Sequence, residues 1–206
     1  MFLPKKEFLQ RSIKNCLHLN SPENNFAGKE DGQIGCMVGL FFTLFLGVML
    51  CAVLQLEHYR AVSLYLEDAL AASNLASAVV DVQEYGISHR ILIDRPEEAY
   101  KTYQWAARGN LNLNAEWEGQ AGSLVRGPVS IVQYIVYNVR GDEVTVYHFD
   151  RDGRMTQRQG TLGNVTAPNG IPVENTSVYS EITFETEGFL GIKVRAHKGN
   201  LADISR

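Results

Sequence analysis

The sequence predicts an α+β protein in which a long N-terminal helix passes from an apolar, membrane-spanning half into an amphipathic half packed on a small antiparallel β-sheet. Three observations carry that expectation. Ile34 to Leu56 is an apolar run without a charge, and Thr43 and Gln55 are its only strongly polar side chains. Glu57 to Glu84 follows with no Pro or Gly and abundant Ala, the best helix former. Beyond Gly86, short β-rich runs alternate with Gly, Pro, Asn and Asp turns, the pattern of hairpins.

The 206 residues leave room for one modest domain after a spanning helix, and the net charge of −4 comes with no basic face, so nucleic acid is not an expected partner. Cys16 precedes the apolar run, Cys36 and Cys51 lie within it and none follows, so an outer domain would fold without disulfides. Lipidation is not expected. Cys36 comes before the apolar segment, where a lipoprotein cysteine would come after one, and Cys51 follows the bulky Met49 and Leu50.

Residues 1–33 read as a polar cytoplasmic leader or tail. Phe8, Ile13 and Leu17 would make a short surface helix, and Asn20 to Gly32, rich in Asn, Gly and Pro, reads as a flexible linker. Lys5, Lys6, Arg11, Lys14 and Lys29 precede the apolar run, whereas Arg60 alone stands in the about twenty residues after it. The positive-inside rule then puts the N-terminus in the cytoplasm and the C-terminal part outside, as a single-pass cell-membrane protein.

Residues 34–56, as a helix rising about 1.5 Å per residue, would be roughly 34 Å long, enough to cross a hydrocarbon core of about 30 Å. Gly35, Gly39, Thr43, Gly47 and Cys51 recur every fourth residue and are all small. They trace one groove along the helix, and Gly35 with Gly39 forms a GxxxG pair that lets backbones approach closely in lipid. A conventional reading is that glycine is simply commoner in membrane helices; the unbroken series argues for a helix-packing face. Membrane lipid and sister helices are the expected partners.

Residues 57–86 are expected to continue the helix. Ser63, Glu67, Asn74, Ser77, Asp81 and Glu84 fall on one polar stripe, while Leu64, Leu66, Leu70, Leu75, Val79, Val80 and Val82 fill the remaining circumference. Such a helix would receive its own sheet on one side and a neighbouring subunit on the other, or be buried wholly in its own domain. Gly86 supplies the stop. Ile34 to Tyr85 would then form one rod of about 75 Å.

Residues 87–206 are expected to form the outer α+β domain. Ser88 to Asp94 reads as a short strand. Arg95-Pro96-Glu97-Glu98 opens a helix with Pro in the first turn and acids at the positive dipole end, carrying Ala99, Tyr103 and Ala106 on one side to about Gly109. Asn110 to Gly127 is expected as loop with a helical turn around Trp117. Val129–Val139 and Val144–Phe149 form a hairpin through Arg140-Gly141-Asp142-Glu143; Asp150-Arg151-Asp152-Gly153 is a turn. Gly160 to Asn175 is loop. Ser177–Thr186 and Gly191–His197 form the last hairpin, around Glu187-Gly188-Phe189-Leu190. Four or five antiparallel strands result.

An apolar helix continuing into an amphipathic one and capped by a small antiparallel sheet resembles the type IV pilins and pseudopilins, including the Tad-type pilus proteins. The boundary Lys29-Glu30-Asp31-Gly32-Gln33-Ile34 is similar to their class III signal peptide, a charged leader ending in Gly before the apolar segment. The resemblance implies cleavage by a prepilin peptidase after Gly32, a mature chain beginning at Gln33, and assembly with other pilin-like subunits, itself included. The family's usual glutamate at the fifth mature position is here Met37. That departure implies a minor or initiating subunit, or a signal-anchor that is never processed.

No HExxH, P-loop, GxSxG or CxxC motif is present, so the chain is not expected to be an enzyme, and no cofactor is expected. His89, His148 and His197 are too scattered for a metal set, and Asp150 and Asp152 before Gly153 lack the remaining ligands of a calcium loop. Asn164-Val165-Thr166 and Asn175-Thr176-Ser177 fit the N-glycosylation pattern. Glu57, His58 and Arg60 stand where the helix leaves lipid and suit an interfacial anchor. The expected function is a non-enzymatic membrane subunit of a pilus or secretion-type assembly. The alternative is a single-pass anchored protein whose outer domain binds a ligand or partner.

Overall fold

The computed structural model describes residues 27–125, 127–188 and 191–204, with side chains from residue 34 onward. The expected surface helix around Phe8, Ile13 and Leu17 and most of the linker lie outside the described residues, as do Cys16 and two residues of the last turn, Phe189 and Leu190. Helix α1 runs over Ala27–Ser77. The end of the expected linker, from Ala27 to Gly32, is therefore helical.

Contacts divide the chain into two units, Met1–Ala52 and Val53–Arg206. In the first, α1 stands exposed along its apolar length. The second holds the rest of α1, the helices α2 (Val82–Ser88) and α3 (Pro96–Asn110), and the strands β1 (Ser130–Arg140), β2 (Glu143–Phe149), β3 (Met155–Thr161), β4 (Ser177–Glu187) and β5 (Lys193–Asp203). The strands form one antiparallel sheet of order β3-β2-β1-β4-β5.

Alternation along β1 and β4 gives the sheet two buried faces. Tyr134, Val136, Val178, Ile182 and Phe184 meet Val62, Leu66 and Leu70 of α1 and Tyr103 and Ala107 of α3. Tyr100 stacks on Phe149 with ring centroids 4.7 Å apart, and Tyr103 lies 4.9 Å from Tyr134. On the other face Ile135, Tyr137, Val144, Val146 and Tyr179 are covered by Val165, Ala167 and Val173 from the loop between β3 and β4. α3 has the bounds its capping residues imply, with Pro96 in the first turn and Ala99, Tyr103 and Ala106 buried.

Three expectations for the helices and loops are corrected. First, α1 ends at Ser77 and does not continue to Tyr85. Asp81 starts α2 instead, its carboxylate accepting from the amides of Gln83 (2.8 Å) and Glu84 (3.1 Å), while the Asp81 amide donates to the Leu92 carbonyl. Gly86 lies inside α2, and the left-handed His89 closes it. Second, the polar stripe does not face one way. Ser63 and Glu67 are exposed, but Asn74 and Ser77 are fully buried, and Leu64, Leu75, Val79 and Val82 point to solvent. The reason is hydrogen bonding: Asn74 Nδ2 donates to the Asn200 carbonyl (3.0 Å), and the Tyr134 hydroxyl donates to Ser77 Oγ (2.9 Å). Third, the segment around Trp117 holds no helical turn; Trp117 takes φ 63°, and bridges join Leu113 to Gly119 and Glu118 to Pro128.

The expected strand Ser88–Asp94 is also absent as a strand. Ser88 ends α2, and Ile93 bonds to a side chain rather than to a neighbouring strand backbone. The first hairpin is as expected, with Gly141 at φ 64° in the tight β1–β2 turn and Asp150 Oδ1 accepting from the amides of Asp152 and Arg154. The last hairpin pairs as expected, but β5 starts at Lys193 rather than Gly191 and runs past His197 to Asp203, where it stays paired with β4 back to Ser177. β3 is a strand in a stretch for which none was expected.

Candidate membrane anchor and helix-packing surface

Among the described residues one helix, α1 from Ile34, is long and apolar enough to cross a membrane, and it lies near the N-terminus. Every side chain from Ile34 to Leu54 is exposed, including Phe41, Phe42, Phe45, Leu46 and Leu50. An apolar surface of that extent, unshielded by the protein's own core, suits lipid or a partner rather than water. This makes it a candidate membrane-spanning helix.

The small residues expected at the packing face are open. Among the described residues, nothing lies within 4 Å of a Cβ added at Gly35, Gly39 or Gly47. Thr43 Oγ1 donates to the Gly39 carbonyl at 2.8 Å, which satisfies the hydroxyl inside the helix, so that an approaching apolar helix meets no unpaired donor there. Cys51 is a free, exposed thiol at the end of the series, and Cys36 is a second beside Gly35. Gly32 and Gln33, the expected cleavage residues, lie inside α1 and not at its start.

Past the apolar run, Glu57 and Arg60 pair at 2.8 Å with both side chains exposed, a contact of little energetic weight. Gln55 donates from Nε2 to the Glu187 carbonyl at 3.4 Å. No local pattern announces this contact, and its only signal in the sequence is a lone amide near the end of an apolar run, which needs a partner. Nor does the sequence announce a cavity of about 600 Å³ between α1, α3 and the following loop, with Ala72, Ala76, Leu113 and Trp105 among its walls. Trp105 is 72% exposed there.

The histidines stand apart. His89 caps α2, His148 Nε2 lies 3.2 Å from Gln133 Oε1 on β2's outer side, and His197 is exposed on β5. Of the two glycosylation patterns, Asn164 and Asn175 are both exposed in the loop between β3 and β4. The chain matches no protein-family model, no curated protein and no solved structure.

Proposed function

We propose that the chain is a non-enzymatic, membrane-inserted subunit of a pilus-like or secretion-type assembly, of the minor pilin or pseudopilin kind, which associates through its N-terminal helix. The observation that supports this most is the open face of Gly35, Gly39 and Gly47 on an apolar helix whose later turns pack on an antiparallel sheet. In lipid, close backbone approach over small residues is what draws helices together. The N-terminus would be cytoplasmic and the sheet domain extracytoplasmic.

The second reading, a permanent single-pass anchor for a binding domain, is favoured by the Trp105 cavity and by Met37 in place of the pilin glutamate. N-terminal sequencing of protein extracted from membranes separates them. A mature chain starting at Gln33 supports the pilin-like subunit. An intact Met1 on membrane-held protein supports the anchor.

A further inference from the structure

We propose that Ile192 and Val194, at the start of β5 on the side nearest Leu56, dip into the lipid surface beside α1 and give the sheet domain a second membrane contact. The proposal rests on the reading of Ile34–Leu56 as embedded in a bilayer.

Contacts between α1 and the hairpin run in step. Gln55 bonds to Glu187, and Tyr59 packs beside Gly188, where an added Cβ would come 3.0 Å from the Tyr59 hydroxyl and 2.8 Å from Val194 Cγ2. Further along, Lys198 Nζ donates to Ser63 Oγ (3.2 Å) and Glu67 Oε2 (2.9 Å), and Asn74 reaches Asn200. β5 therefore climbs alongside α1 from the end of the apolar run, and its first residues share a level with Val53, Leu54 and Leu56.

That level is apolar on both elements. Ile192 is 63% exposed and Val194 39%, beside the exposed Val53, Leu54 and Leu56. Alternation along β5 puts Val194 on the sheet face that carries Ala196, the face turned to α1, and Ile192 stands just ahead of the strand. Water is a poor neighbour for such a pair at a domain's edge, and lipid acyl chains already surround the helix it touches. The surrounding charges are largely matched: Lys193 stands opposite Glu187, Arg195 lies 3.5 Å from Glu185, and Arg60 pairs with Glu57. Tyr59 is the aromatic expected at a headgroup boundary. An apolar edge near two ion pairs and a tyrosine fits a zwitterionic headgroup layer.

The test uses the full chain with Cys16, Cys36 and Cys51 replaced by Ala, reconstituted in phosphatidylcholine vesicles. A nitroxide is placed by Ile192→Cys, with Val194→Cys as a second position. Leu44→Cys in the span and Asp142→Cys in the β1–β2 turn, at the opposite end of the sheet, serve as references. Collision with oxygen against a water-soluble nickel reagent is read at each site. The proposal expects the Ile192 and Val194 labels to shift towards the oxygen-favouring ratio of Leu44. Labels at both positions with the ratio of Asp142, while Leu44 stays lipid-like, would overturn it and leave the span intact. Labels shielded from both reagents would assign the edge to a protein partner and also overturn it. A water-like Leu44 would remove the bilayer reading and the proposal together.

Discussion

Asn138 pairs with Ile93 in both directions: the Ile93 amide donates to Asn138 Oδ1 at 2.9 Å, and Asn138 Nδ2 donates to the Ile93 carbonyl at 2.8 Å. One side chain of β1 thus supplies what a neighbouring strand would have given, and it fixes the buried Leu92 and Ile93 against the sheet. Asn138→Leu leaves a donor and an acceptor without partners and should cost about 1–3 kcal/mol. Urea unfolding of the detergent-solubilised chain, followed by tryptophan fluorescence, measures it; a change within error would show that water replaces the amide at no cost.

A core leucine and the Tyr134 hydroxyl should rank differently. Leu66 is fully buried between α1 and the sheet, and Leu66→Ala should destabilise by about 2–5 kcal/mol through lost burial and a cavity. Tyr134→Phe removes only the hydroxyl that donates to Ser77 Oγ, which still donates to the Asn74 carbonyl, and should cost about 1 kcal/mol. The same unfolding series checks the order; equal losses would contradict it.

Two glycines should respond with opposite sign. At Gly119 an added Cβ would collide with the backbone carbonyl of Val125, which cannot swing aside, so Gly119→Ala should destabilise by about 1–3 kcal/mol. At Gly109, inside α3 with nothing within 4 Å, Gly109→Ala should stabilise by about 0.5–1 kcal/mol. Thermal midpoints of the two variants, measured side by side, report the signs.

Alkali should unfold the sheet domain. Burial raises the pKa of Tyr103, Tyr134 and Tyr179 well above the ordinary 10.0 and pushes Tyr137 up to about 12, against the opposing pull of Arg158. The unfolded chain loses these protons first, so stability is complete below pH 10 and falls as pH rises from 10 through about 12. Circular dichroism against pH follows it, and Tyr137→Phe should make the fall shallower. A domain equally stable at pH 9 and pH 12 would contradict the burial of these phenols.

The elements that could be read in the sequence were those with strong local signals. Pro96 with Glu97 and Glu98 announced α3, and Gly141 between two alternating runs announced the first hairpin. What local pattern could not show was partnership at a distance. Asn74 and Ser77 look like solvent positions until Asn200 and Tyr134 arrive to bond them. β3, with Met155-Thr156-Gln157-Arg158, is polar because it is an exposed edge, so it lacks the alternation that marks a half-buried strand. Ile91 to Ile93 has strand composition but finds the Asn138 amide in place of a strand. The small-residue series was legible by spacing alone, and among the described residues nothing stands within 4 Å of a Cβ added at Gly35, Gly39 or Gly47.

Association of α1 in a membrane tests the central claim most directly. Full-length chains carrying donor or acceptor fluorophores on the sheet domain, co-reconstituted at dilute protein-to-lipid ratio, report it by energy transfer, and resistance to alkaline carbonate extraction reports insertion. Gly39→Ile and Gly47→Ile each put a branched side chain on the open face. The account predicts energy transfer for the natural sequence and its loss in both variants, with all three remaining in the membrane. Undiminished transfer in the inserted variants would contradict it.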